Sequence, residues 1–142
     1  MKSGFTLIEL IIVIAISIFL VAIFFPIGLN FYQIQVLNGG TDSIVWLLKQ
    51  AQSSAISQKN DSAFGLYLAQ NQAILFQGNN YQGREASQDI NVAIPLSVRI
   101  AGLQEIDFAK KTGLPAQTGS IFLSLAGRSE EIQINSIGLI SY

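Results

Sequence analysis

Residues 1–25 read MKSGFTLIELIIVIAISIFLVAIFF, and this stretch decides how the rest of the chain is interpreted. One carboxylate, Glu9, interrupts it near the start. From residue 10 to residue 29 only Ser17, Pro26 and Gly28 depart from strong apolarity. Wound as a helix, that run reaches about 30 Å, close to the hydrocarbon thickness of a bilayer. Apolar side chains fall on every face, which excludes an amphipathic surface helix. Lys2 is the only charge before Glu9, and none follows until Asp42. The positive-inside tendency therefore keeps the N-terminus cytoplasmic and sends the remainder outward. A secretory signal peptide is the competing reading, since Ala15-Ile16-Ser17 has the small-x-small form of a cleavage site. A cut there would strand residues 18–25 at the mature N-terminus, and Glu9 is out of place in such an apolar region.

Glu9 needs its own explanation. An ionisable group at the centre of a membrane helix costs about 2.5 to 3.5 kcal/mol on insertion scales, and such groups usually have a partner. A cut between Gly4 and Phe5 would create an α-amine four residues before Glu9, on the same helix face. The helix N-terminus itself favours a carboxylate. Glu9 could neutralise its own amine, or the amine of a neighbouring copy, or simply snorkel to the headgroups. Geometry alone leaves the three open.

A short basic leader ending in Gly4, then Phe5-Thr6-Leu7-Ile8-Glu9-Leu10 and a long apolar helix, resembles the prepilin signature of type IV pilins and type II secretion pseudopilins. The resemblance implies that prepilin peptidase cuts after Gly4 and N-methylates Phe5. It implies that Phe5, Thr6 and Glu9 guide assembly into a helical filament, and that Pro26 is the helix-loosening proline often found at that place. The implied setting is the bacterial inner membrane, single-pass with the head outside, and then an extracytoplasmic filament. The implied partners are the peptidase, other pilin or pseudopilin subunits, an inner-membrane assembly platform and the lipid bilayer. On this basis residues 1–4 are leader, 5–29 the transmembrane and assembly helix, 30–60 its continuation, and 61–142 a β-rich head.

Pro26 removes a backbone donor and crowds the preceding turn, so a kink or locally melted turn is expected there. Asn38-Gly39-Gly40 reads as a turn when taken alone, with Thr41 or Asp42 as the next N-cap. Beyond it Ile44, Leu47, Leu48, Ala51, Ala55 and Ile56 form a stripe at helical spacing that should pack on a sheet. Trp46 is off the stripe; it is placed at the core edge, with a contact between subunits as the alternative. Residues 51–56, Ala-Gln-Ser-Ser-Ala-Ile, resemble the A-R-S-x-A-I stretch of H-type minor pseudopilins and FimT-like pilins, with Gln52 in place of arginine. Since such proteins run one long helix from membrane to head, helix is expected on both sides of Gly39-Gly40, with a weak point or break between.

After Asp61 the period changes to two. Residues 62–68, 72–77, 90–94, 97–100, 105–108, 120–125, 131–135 and 137–141 are strand candidates, with hairpin turns at 69–71 and 126–129. Gly138 belongs at a turn or bulge. The fold class is α+β and pilin-like: a long N-terminal helix packed by its second half on a C-terminal antiparallel β-sheet. The late pattern, Phe108, Gly113, Gly119-Ser120-Ile121, alternating Ile132 and Ile134, then Gly138, also resembles the H-type head.

Composition removes several kinds of chemistry. The 142 residues include no cysteine and no histidine. Thiolate metal sites, disulfides and the commonest general base at neutral pH are therefore absent. The pair Glu105 and Asp107 shares a strand face, and Glu130-Glu131 adjoin, but a solvated face is the reading for both. No acidic cluster resembles the calcium loop that major pseudopilins commonly carry. Asn60-Asp61-Ser62 matches a glycosylation sequon, a pattern too short to weigh. With a net charge of −1 and scattered cations, nucleic acid is not an expected partner. The alternative keeps one: a FimT-like minor pilin in which Lys110, Lys111, Arg99 and Arg128 gather to touch DNA phosphates. Expected overall is a structural subunit, not an enzyme, with no cofactor and no metal site.

Overall fold

The computed structural model describes residues 6–142. The chain divides into two compact units, Met1–Gln35 and Val36–Tyr142. Helix α1 (Leu7–Ile56) supplies nearly all of the described part of the first unit and opens the second. Eight strands follow: β1 (Phe64–Ala69), β2 (Gln72–Gln77), β3 (Ile90–Ala93), β4 (Arg99–Gly102), β5 (Glu105–Phe108), β6 (Gly119–Leu125), β7 (Arg128–Ile134) and β8 (Ile140–Ser141). This is the expected α+β, pilin-like architecture.

The strands form two sheets where one was expected, in the orders β3-β2-β1-β5 and β4-β6-β7-β8, with every pairing antiparallel. Proline explains where the first sheet is left. Pro95 has no N–H for a ladder, and its carbonyl instead accepts from Val98 N at 2.9 Å, turning the chain into β4. Gly102 then turns it back, with φ of +94° and no room for a Cβ against the Ser120 carbonyl. From there β5 returns to the first sheet beside β1.

Hairpin chemistry accounts for the boundaries. In β6–β7 Leu125 pairs with Arg128, so the turn is only Ala126-Gly127, and Arg128 and Ser129 belong to β7. Both turn residues have positive φ, 50° and 82°, the signature of a two-residue turn matched to strand twist. The last strand shrinks to two residues because Asn135 organises the chain before it. Its Oδ1 accepts from Ile137 N at 3.1 Å and Leu139 N at 2.8 Å, with Gly138 in the turn at φ +79°.

One hydrophobic core joins α1 to both sheets within the second unit. Ile44, Leu47, Leu48, Ala51 and Ala55 are fully buried, as the stripe predicts, against Leu66, Ile106, Phe108, Ile121, Leu123 and Ile132. Burying each large aliphatic side chain contributes about 1.5–3 kcal/mol, which is what holds the helix to the strands.

Four helical expectations need correction. α1 runs through Gly39-Gly40 without a break. Two glycines cost roughly 1 kcal/mol each relative to alanine, and packing outweighs that: Leu37 and Thr41 are buried on either side of the pair, and Gly40 within it. Thr41 is no cap; its hydroxyl donates to Leu37 O at 3.1 Å inside the helix. Trp46 is 56% exposed and not at the core edge. At 3.6 residues per turn it stands about 200° round from Ile44, almost opposite the packed stripe. Ile56, added to the end of the stripe, is 49% exposed and lies over Gly113 at the surface.

Candidate assembly site

The start of α1 is built by Thr6. Its Oγ1 accepts from Glu9 N at 3.3 Å, and its carbonyl accepts from Leu10 N at 3.2 Å, which makes Thr6 the N-cap. The sequence carried the signal, since Thr6-Leu7-Ile8-Glu9 has the spacing of a capping box. The cap takes only the Glu9 amide. The Glu9 side chain is exposed, and among the described residues nothing donates a hydrogen bond or offers a cation to its carboxylate. Gly4 and Phe5, expected as the cleavage and methylation positions, lie outside the described residues.

The large apolar side chains of the first unit are exposed on all sides, from Leu7 to Tyr32. α1 is long and apolar enough to cross a membrane, and none of its most apolar stretch is buried. The polar side chains within it satisfy themselves. Ser17 Oγ donates to Val13 O at 2.8 Å, and Asn30 Nδ2 donates to Pro26 O at 3.0 Å. Donors tied back to the helix are what a lipid environment requires, because lipid offers no acceptor. α1 stays helical through Pro26, so no turn is melted there. Pro26 still has no N–H to give the Ala22 carbonyl.

In the second unit, Gln52 is the polar residue that ties helix to strands. Its Nε2 donates to Gly113 O at 3.1 Å and to Gly138 O at 2.9 Å, joining α1 to the turn after β5 and to the turn before β8. Both glycines are buried.

The segment between β2 and β3 is no loose loop. The Tyr81 ring stacks on Tyr67 at 3.9 Å, and the Arg84 guanidinium lies over its other side at 3.8 Å. Arg84 also pairs with Asp89 at 2.8 Å, a hydrogen bond that raises its pKa further. Tyr81 N donates to Glu105 Oε1 at 2.7 Å, so Glu105 anchors this segment. Asp107 beside it is half-buried, and burial, with the Glu105 charge adding, pushes its pKa up. Among the described residues no group of three acidic side chains is placed to hold a metal ion.

The cations separate into two places. Lys110 pairs with Asp61, and Lys111 N donates to Ala55 O at 3.0 Å at the end of α1. Arg99 and Arg128, by contrast, line one open cavity of about 480 Å³ at the tip of the β6–β7 hairpin, with Ser97, Ser124 and Ser129. Neither arginine is in an ion pair among the described residues.

Residues 1–25 match the family described as the prokaryotic N-terminal methylation motif. No curated protein and no solved structure gives a match to the chain. The motif, together with the apolar helix, supports a type IV pilin-like protein and is consistent with an anchor in a membrane.

Proposed function

We propose that the chain is a pilin-like structural subunit, of the H or FimT type of minor pseudopilin, in a type II secretion or type IV pilus-like filament. Prepilin peptidase trims it after Gly4 and methylates Phe5. α1 is stored in the inner membrane with its N-terminus cytoplasmic and the head outside, and the assembly platform then packs it among other subunits. The observation that carries the reading is the methylation motif over residues 1–25, joined to a helix whose Glu9 carboxylate meets no donor among the described residues. A capped helix start with a free acid suits an amine supplied from elsewhere, and the nearest candidate is the methylated terminus of a neighbour.

Mass spectrometry of the native protein tests the processing: a mature chain beginning with N-methyl Phe5 is expected, and Gly4→Val should leave the precursor uncut. Glu9→Ala should lower incorporation into the sheared filament fraction several-fold without unfolding the head, since Glu9 belongs to the first unit and the core of the second is built from its own residues. Incorporation at the normal level refutes the assembly role.

One observation favours a second reading, a DNA-binding minor pilin of natural transformation: the shared cavity of Arg99 and Arg128. The lysine pair no longer supports it, because Lys110 is engaged with Asp61. A mobility shift lost on changing both arginines to alanine would favour this reading, and no shift with the native chain would remove it.

A further inference from the structure

Within the second unit, β6 runs back along α1 to the end where the helix enters. Gly119 opens β6 and pairs with Ile134, which also pairs with Ile140 of β8, just past the Gly138 carbonyl that Gln52 holds. Further along β6, Leu123 lies against Gly40, where a Cβ would stand 3.5 Å from the leucine Cδ2. The β6–β7 turn is at least about 7 Å further in the same direction, which puts it at the Val36 end of the unit. Arg99 is there too, paired with Ser124, and so is the Pro95 turn that precedes it. Arg99 and Arg128 line one open cavity with Ser97, Ser124 and Ser129, and neither is in an ion pair among the described residues. Leu96, next to Ser97, is 77% exposed, more than any other large apolar side chain of the unit. No carboxylate occurs in residues 94–99 or 123–129, nor in α1 between Glu9 and Asp42. Glu130 and Asp42, the next acids along the chain, line a separate cavity. In a chain of net charge −1, these segments carry only positive charge.

We infer that this end of the head is a lipid-binding surface. Arg99 and Arg128 hold the phosphate of a phospholipid headgroup in their shared cavity, and Leu96 sinks beside it among the upper acyl carbons. The serine hydroxyls add neutral donors for the remaining phosphate oxygens. Seven residues separate Leu29, the last of the apolar run, from Val36. Chain reach alone therefore holds this end within about 25 Å of the hydrocarbon, whatever angle the two units take. Interfacial binding joins apolar area to attraction for anionic headgroups, and two guanidiniums beside one aliphatic side chain supply both. A nucleic acid is the poorer occupant of the cavity. It carries a phosphate at every nucleotide and calls for a run of cations. Here the cations number two, and the most exposed apolar neighbour is an aliphatic leucine. The inference rests on one part of the proposed function, the storage of α1 in the membrane. It adds what the head does in that state: it rests on the bilayer surface, a contact it must give up to enter a filament.

The chain has no cysteine, so a single label goes only where it is placed. Leu96→Cys and, at the opposite end of the unit, Ser136→Cys each carry a fluorophore in the full-length protein, reconstituted into nanodiscs. Both positions are exposed, as are Arg99 and Arg128, so folding is not at risk. Quenching is read with spin labels at the top of the lipid acyl chain. In bilayers of phosphatidylcholine and phosphatidylglycerol, position 96 should be quenched several-fold more than position 136. The bound-to-free ratio at 96 should fall about fivefold for each arginine changed to alanine, and about 0.5 M salt should remove most of the contact. Native mass spectrometry of the unlabelled chain should show a retained phospholipid that the double arginine variant loses. Equal quenching at 96 and 136, or quenching at 96 that ignores both arginines, overturns the inference; if the chain still floats with vesicles after an alkaline wash, the membrane reading stands. Release of position 96 by millimolar inorganic phosphate would make the cavity a free-phosphate site and would also overturn it. A mobility shift with DNA that needs both arginines, without quenching at 96, overturns it in favour of the DNA-binding reading. A chain that does not float overturns the membrane reading, and this inference falls with it.

Discussion

Gln52→Ala isolates the contact that joins α1 to the C-terminal turns. Gln52 Nε2 donates to Gly113 O at 3.1 Å and Gly138 O at 2.9 Å, and no other donor reaches either carbonyl among the described residues. A buried acceptor left without its donor costs about 1–3 kcal/mol. Gln52 is half-buried, so water can reach part of the gap and the low end of that range, about 1–1.5 kcal/mol, applies to each. The sum is about 2–3 kcal/mol. For a unit of this size 1 kcal/mol moves the melting point by roughly 4–8 °C, so a fall of roughly 10–20 °C is expected. The assay is thermal melting of the detergent-solubilised full chain, followed by near-ultraviolet circular dichroism from the stacked Tyr67 and Tyr81. Gly138→Ala supplies the companion change. Its Cβ would stand 2.5 Å from Gln52 Nε2 and 3.0 Å from Gly113 O, at a φ of +79° that disfavours any side chain. Removing Gln52 relieves the first of these contacts, so the double variant should lose less than the sum of the singles. A Gln52→Ala melt within about 2 °C of the native chain, equivalent to under roughly 0.5 kcal/mol, would show that the two carbonyls find other partners and would refute the clamp.

Gly65→Ala should destabilise the same unit by about 1–3 kcal/mol, the usual range for overpacking. Its Cβ would run into the Phe76 ring and stand 2.8 Å from the Ile106 carbonyl, which is backbone and cannot swing aside; an unchanged melting point would contradict the packing described. Asp107→Asn should stabilise the unit slightly at neutral pH and not at acid pH. Burial, then the Glu105 charge, raises the folded pKa above the ordinary 3.8, so the folded state holds its proton more tightly than the unfolded chain. Native stability therefore falls as pH rises from about 4 through that raised value, and the amide variant escapes the fall. The effect is small because solvent screens the group, and melting curves at pH 3.5 and 7 would measure it.

Local patterns were enough for most of the fold. The stripe from Ile44 to Ala55 predicts the buried face of α1, and β1, β2, β5 and β6 come within two residues of their alternating runs. Tertiary causes account for the rest. The split into two sheets follows from Pro95 and Gly102, whose effect depends on the strand that lies beside them. Gly39-Gly40 signals a turn within a short window, yet burial on the sheets keeps it helical. Trp46 differs from both: helix phase alone places it opposite the core, and a large hydrophobic side chain can stay exposed there.

The candidate sites divide the same way. Thr6 as a cap could be read from its spacing to Glu9, whereas the cation cavity could not. Lys110 and Lys111 adjoin in sequence and stay together by the end of α1, while Arg99 and Arg128 meet only because β4, β6 and β7 pair side by side. Gln52 shows why chain distance matters, since its two acceptors lie 61 and 86 residues away. The glutamine amide presents two N–H groups, which can serve two carbonyls at once. What the position requires is a double donor, and that requirement is set by two turns brought to the helix only by the fold.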